Sequence, residues 1–134
     1  MNLQENISRV KELMNINEGL NDTSWTDDDD NTITLQDLLT ATEDIPVVDF
    51  PVEYLKSHLL DWGGDEKEMK KVDKANLQYP ILIFVDDEGN IISIIDGHHR
   101  ARKAIKLKRE FINAKLITFS KLPKEIKKVF KHLK

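Results

Sequence analysis

The chain has 134 residues, 40% of them hydrophobic and 33% charged, with a net charge of −4, so it has room for one domain and one core and reads as a globular, soluble protein. It contains no cysteine, which excludes disulfides, a thiolate nucleophile, a thiolate zinc site and thiol redox chemistry. No apolar run approaches the ~20 residues that cross a bilayer, and Met1-Asn2-Leu3-Gln4-Glu5 lacks the basic and apolar regions of a secretory signal, so a cytoplasmic protein with no membrane partner is expected.

Leu3, Ile7, Val10 and Met14 recur at helical spacing, which predicts an amphipathic helix over 1–14 with Glu5, Arg9, Lys11 and Glu12 on its polar face. It is a candidate for docking a protein partner. Residues 15–32 carry Gly19, several Asn, Ser and Thr, and the run Asp27-Asp28-Asp29-Asp30, a composition that buries little and repels itself; they read as an acidic flexible linker. The four aspartates lack the alternating ligands, central Gly and distal Glu of a calcium loop.

A domain is expected from 33 to 119. Thr34 and Asp37 have capping-box spacing before Leu35, Leu38 and Leu39, which predicts a short helix to Ala41. Residues 45–50 read as a strand, and Pro51 opens a helix to Leu60 with Val52, Leu55 and Leu59 on one face. Trp62, placed either to stack on a base or to close a core, stands before Gly63-Gly64, which end that helix. Residues 65–74 are charged and helix-compatible, with Met69 and Val72 as apolar contacts. Ile81-Leu82-Ile83-Phe84-Val85 and Ile91-Ile92-Ser93-Ile94-Ile95 are two strands joined by the hairpin loop Asp86-Asp87-Glu88-Gly89-Asn90. Ala101, Ala104, Ile105 and Leu107 then follow helical spacing to about Lys108, and 111–119 supplies another strand.

Ser120 is placed to cap a basic helix over 120–134, with Leu122, Ile126, Val129, Phe130 and Leu133 as its apolar side. Residues 97–134 carry 13 Lys and Arg against Glu110 and Glu125, a net +11, whereas the preceding residues carry 7 basic and 22 acidic side chains, a net −15. Such polarity either steers an anionic ligand or draws the two halves together. The lysines of the last helix are correspondingly a candidate DNA-backbone contact or a solvated face of a docking helix. The expected fold class is α/β (α+β): a small mixed sheet flanked by helices.

The candidate site is Asp96-Gly97-His98-His99-Arg100, at the turn from a strand into a helix. Gly97 permits a sharp turn and close approach of a ligand to the main chain. The first-turn amides and the positive end of the helix dipole favour an anion, Arg100 adds a planar fork matched to phosphate oxygens, and His98 or His99 adds imidazole donors. Asp96 has three available roles: orienting a histidine tautomer, coordinating Mg2+ on the phosphates, or capping the helix. The structural alternative is that Asp96 caps and the histidines pack.

The order of hairpin, Asp-Gly-His-His-Arg, alanine-bearing helix and strand resembles the ParB/sulfiredoxin superfamily, whose core carries a Gly-x-x-Arg turn after a hairpin strand. The resemblance covers about 79–118 well and 33–60 more loosely. Sulfiredoxins place a cysteine where this chain has His98, so sulfinic-acid reduction is excluded. Chromosome-partitioning ParB proteins have Gly-Glu-Arg-Arg at the turn, bind CTP there and continue into a helix-turn-helix domain; here the turn differs, and 16 residues follow Thr118. The string is most similar to the free-serine kinases of the superfamily, which place nucleotide phosphates at the turn and use an acidic residue from an earlier segment as base. The resemblance therefore implies a nucleoside triphosphate, ATP or CTP, with Mg2+; phosphate contacts from Gly97, His98, His99 and Arg100; Asp96 as metal ligand; and Asp96, His98, Asp49 or Glu53 in catalysis. Lys56 and Ser57 lie on the helix that borders the nucleotide in sulfiredoxin-like proteins. The expected activity is phosphoryl transfer or nucleotide hydrolysis, with a ParB-like DNA-binding or nuclease module and a non-catalytic protein-binding scaffold as the alternatives.

Overall fold

The computed structural model describes residues 23–59 and 64–131, and the chain divides into two compact units, one of 23–44 with 123–131 and the other within 45–122. The amphipathic helix expected over 1–14 lies outside the described residues, as do positions 15–22, Trp62 and the last three residues.

In the first unit, β1 (Ser24–Thr26) and β2 (Thr32–Thr34) pair antiparallel, with Trp25 opposite Ile33. This corrects the reading of 15–32 as linker throughout. The aspartate run is the hairpin turn itself: Asp27 Oδ1 accepts from the amides of Asp29 and Asn31, each at 2.9 Å, Asn31 Nδ2 donates to Asp27 Oδ2 at 2.9 Å, and Asp30 takes φ 63°. A side-chain acceptor bound to the following amides does the work usually given to glycine, and the Asn31 amide holds the Asp27 carboxyl below its ordinary value. Helix α1 (Leu35–Ala41) begins on the expected capping box, in which Thr34 Oγ1 accepts from Asp37 N at 3.1 Å and Thr34 N donates to Asp37 Oδ2 at 2.9 Å. Ile33, Leu38, Ile126, Val129 and Phe130 are buried, and the Trp25 ring lies 5.4 Å from that of Phe130. The last helix (Lys124–Val129, named α4 after two helices of the other unit) has Pro123 rather than Ser120 at its N-cap.

The second unit is built on a four-stranded mixed sheet ordered β3-β6-β4-β5, with β3 Val48–Pro51, β4 Ile81–Val85, β5 Ile91–Asp96 and β6 Phe111–Thr118. β4 runs antiparallel to β5 and parallel to β6, and β3 runs antiparallel to β6. β4 is covered on both faces, which is why five consecutive apolar residues without alternation are all buried. Ile81, Ile83 and Val85 pack with Ile112, Ala114, Val52, Leu55 and the alanines Ala101 and Ala104 of helix α3 (His98–Lys106). Each fully buried Leu, Ile or Val there contributes roughly 1.5–3 kcal/mol. The alanines leave room for the helix to lie close to the sheet. On the opposite face Phe84 meets Phe119 with ring centroids 5.6 Å apart.

Two expectations change in detail. The helix read from Pro51 is a 3-10 segment, Val52–His58, because Pro51 still pairs with Phe111 and Val52 N still donates to Glu110 O at 3.0 Å. Ser120 sits in a short 3-10 turn, where its hydroxyl bonds to Asp87 instead of capping a helix. The β4–β5 loop repeats the turn of the first unit: Asp86 Oδ1 accepts from Glu88 N at 2.9 Å and Asn90 N at 2.8 Å, with Gly89 at φ 88°.

Helix α2 (Glu66–Lys74) is capped by Asp65, which accepts from Glu68 N at 3.1 Å. It lies beside α3 in the same direction: His99 meets Glu68 near the two N-termini, and Lys106 Nζ meets Asp73 Oδ1 at 2.5 Å near the C-termini. Lys103 Nζ also donates to the carbonyls of Asp73 and Ala75, at 2.9 and 2.8 Å, and so satisfies the end of α2. Among the described residues no helix is long and apolar enough to cross a membrane.

Candidate functional site: the turn into helix α3

The turn that ends β5 is forced to be tight. Gly97 is the N-cap of α3 at φ 105°, and a Cβ there would stand 2.4 Å from Cγ2 and 2.7 Å from Cβ of Ile81. Glycine is therefore required twice, for its left-handed backbone and for the contact with the buried central strand. Ala101 N donates to Gly97 O at 2.9 Å and closes the first helical turn. The first-turn amides of a helix have no acceptor within it, and together with the dipole they make its N-terminus a favourable place for an anion.

The polar side chains of the turn are held from three directions. His98 Nε2 lies 3.1 Å from Ile94 O; a carbonyl only accepts, so this nitrogen carries the proton. Burial holds the His98 pKa below its ordinary value. His99 Nε2 donates to Glu68 Oε2 at 2.5 Å, and that hydrogen bond holds the Glu68 carboxyl below the usual range. Arg100 is mostly buried; it donates through Nη2 to Asp96 Oδ2 at 2.7 Å and through Nη1 to Pro80 O at 3.1 Å. Two of its donors thus brace the turn against the start of β4, and the guanidinium plane is set before any ligand arrives.

Asp96, Gly97, His98, His99 and Arg100 are brought together as the sequence pattern requires, with one shift of role. The cap position belongs to Gly97, and Asp96 instead accepts from Arg100. Glu53, Lys56 and Ser57 are exposed on the 3-10 segment whose Val52 and Leu55 share the core of α3. Asp49 is placed elsewhere. It stands opposite Asn113 in the register, whereas its neighbour Phe50 stands opposite Ile112 and packs into the α3 core. Since alternate residues of a strand point to opposite faces, Asp49 lies on the face away from α3. It is also on the far edge strand, three strand spacings or roughly 14 Å from β5, in a shallow groove with Leu77, Arg109, Phe111 and Asn113.

Glu68 was not among the residues picked out from the sequence. It sits one helical turn before the buried Val72, so residues 68 and 72 share a stripe of α2; a carboxylate on the inward stripe of a helix was the available signal. Among the described residues no group of three or more His, Asp or Glu side chains is arranged to hold a metal. Mg2+ on nucleotide phosphates takes only one or two protein carboxylates, and Asp96 fits that smaller requirement while remaining bonded to Arg100 through Oδ2.

No family model, curated protein or solved structure matches the chain.

Proposed function

We propose that the second unit binds the phosphates of a nucleoside triphosphate at the turn into α3 and transfers or hydrolyses the terminal phosphoryl group. The observation that carries this reading is the combination at one turn of a left-handed glycine pressed on Ile81 and an arginine whose plane is set by Asp96 and Pro80 O. A left-handed glycine opening a helix N-terminus beside an oriented guanidinium supports an anion-binding reading of the turn. Phosphoryl transfer asks for positioning and charge compensation more than for covalent chemistry. Gly97, His99 and Arg100 would hold the phosphates, with Asp96 the carboxylate available to Mg2+, whose contribution is to neutralise developing charge. Of the two earlier acids, Glu53 is the better base, because its segment shares the α3 core and Asp49 faces away. The resemblance to the free-serine kinases of the ParB/sulfiredoxin superfamily supports a kinase over a hydrolase.

Calorimetric titration with ATP, ADP, CTP and GTP in the presence of Mg2+ tests the proposal, with His99→Ala and Arg100→Ala as variants and circular dichroism to establish their folding. Saturable binding of one nucleotide, weakened in both folded variants, is expected. A folded wild type that binds none of the four overturns it. A DNA-contacting module is the second reading, supported by the exposed Lys124, Lys128 and Lys131 around the buried Ile126, Val129 and Phe130 of the last helix and the residues that close it. Salt-dependent retention of duplex DNA without nucleotide binding would establish it.

A further inference from the structure

The four-stranded sheet has two edge strands, β3 and β5, and their sequences treat the edge differently. β3 is four residues long and carries Asp49 and Pro51, a charge and a missing donor that discourage a further strand. β5 is six residues long, and its first five, Ile91-Ile92-Ser93-Ile94-Ile95, hold neither a charge nor a proline. Among the described residues no strand pairs with its outer side. Two register irregularities against β4, at Leu82/Ile83 and Phe84/Val85, twist the strand but leave its outward backbone donors and acceptors in place. The same five residues read identically in both directions about Ser93.

An uncharged edge strand is a template for another strand, and a palindromic one is complementary to itself. We propose that the partner of this edge is a second copy of the chain: β5 pairs antiparallel with β5 of the copy about a two-fold axis at Ser93, joining the two sheets into one. Such a contact is isologous, as in most homodimers. In that register Ser93 stands opposite Ser93, Ile92 opposite Ile94 and Ile91 opposite Ile95, so isoleucine meets isoleucine on either side of two hydroxyls that meet on the axis. The neighbouring registers lose this match. An axis at Ile94 sets Ile92 opposite the Asp96 carboxylate, and an axis at Ile92 sets Asn90 opposite Ile94. The axis at Ser93 also sets Asn90 of the copy opposite Asp96, so the copy's β4–β5 loop borders the turn into α3. One strand pair is at the small end of protein interfaces, so the dimer forms and dissociates with concentration.

The test is sedimentation velocity of the full chain over a wide range of concentration. The samples are wild type, Ser93→Lys, Ser93→Glu, an equimolar mixture of those two, and Val48→Lys on the β3 edge as the control, with circular dichroism to establish folding. Wild type and Val48→Lys are expected to shift from one chain to two as concentration rises. Each Ser93 variant alone should remain a monomer, because the axis places like charges directly opposite. The mixture should regain the dimer, because lysine then stands opposite glutamate. Backbone hydrogen exchange of wild type reads the same contact without a substitution: protection within 91–96 should rise from the dilute to the concentrated sample. A wild type that is monomeric at every concentration overturns the proposal and leaves the edge to a strand of another protein. A dimer that survives in both Ser93 variants, or is lost in folded Val48→Lys, overturns it by placing the contact elsewhere. A mixture of folded variants that stays monomeric overturns the axis at Ser93. Unchanged protection within 91–96 in a wild type that dimerises overturns the proposal whether or not the Ser93 variants fold.

Discussion

His99 and Glu68 are 31 positions apart, yet their side chains meet at 2.5 Å and join the first turns of two helices that run side by side. The hydrogen bond from His99 is the largest influence lowering the Glu68 carboxyl from its ordinary 4.5. A carboxyl depressed in the folded state contributes stability that is present above its unfolded value and lost as the pH falls through its folded value. Thermal melts from pH 6 down to pH 3 should therefore show wild type losing stability faster than Glu68→Gln below about pH 4.5. Parallel acid limbs for the two proteins would mean that the contact does not persist in solution.

His98 gives a pH dependence in a higher window. Burial lowers its pKa from the ordinary 6.5, so between the folded value and 6.5 the unfolded chain binds more protons, and stability rises with pH through that interval. Denaturant unfolding of wild type between pH 5 and 7.5 should show this rise. In His98→Asn, which has no titrating ring, the same interval should be flatter.

Gly97→Ala must place a methyl against Ile81 and hold φ near 105°. The left-handed penalty and the overpacking together should cost about 3 kcal/mol, read from urea midpoints. Gly89→Ala has the same sign of φ but open space around it, and should cost about 1 kcal/mol. Equal losses at the two positions would show that the contact with Ile81 is not a close one.

Arg100→Ala removes two hydrogen bonds of a mostly buried guanidinium and leaves Asp96 and Pro80 O without that donor. A destabilisation of about 2 kcal/mol is expected. Arg100→Lys should recover little of it, because an ammonium cannot span both acceptors in the same plane. Urea unfolding of the three proteins decides this.

Asp30 and Lys108 are the non-glycine residues with positive φ among those described, at 63° and 57°. Lys108 closes α3 as a glycine commonly does: its own amide donates to Ile105 O at 3.0 Å, and Arg109 N reaches Ala104 O at 2.9 Å. Replacing either residue with glycine should stabilise the protein by up to about 1 kcal/mol, an upward shift in melting temperature for Asp30→Gly and Lys108→Gly alike.

The difference between the two hairpin turns explains why one was legible and the other was not. Asp86-Asp87-Glu88-Gly89-Asn90 announces itself through Gly89 between two β-branched runs. Asp27-Asp28-Asp29-Asp30-Asn31 makes the same bonds, from an aspartate carboxylate to the amides two and four residues on, but puts Asp30 where the glycine would be and flanks the turn with strands of only three residues. Composition alone then reads as solvated linker.

Local chemistry in the sequence was enough to determine the capping box of α1, the β4–β5 hairpin, the alanine face of α3 and the clustering of residues 96–100, because each depends on side chains within a few positions of one another. The sheet order, the separation of Asp49 from α3 and the arrival of Glu68 at His99 were decided only by the tertiary structure. Strand register determines which face an edge residue occupies, and the packing of α2 beside α3 brings together two side chains with no local relation in the chain.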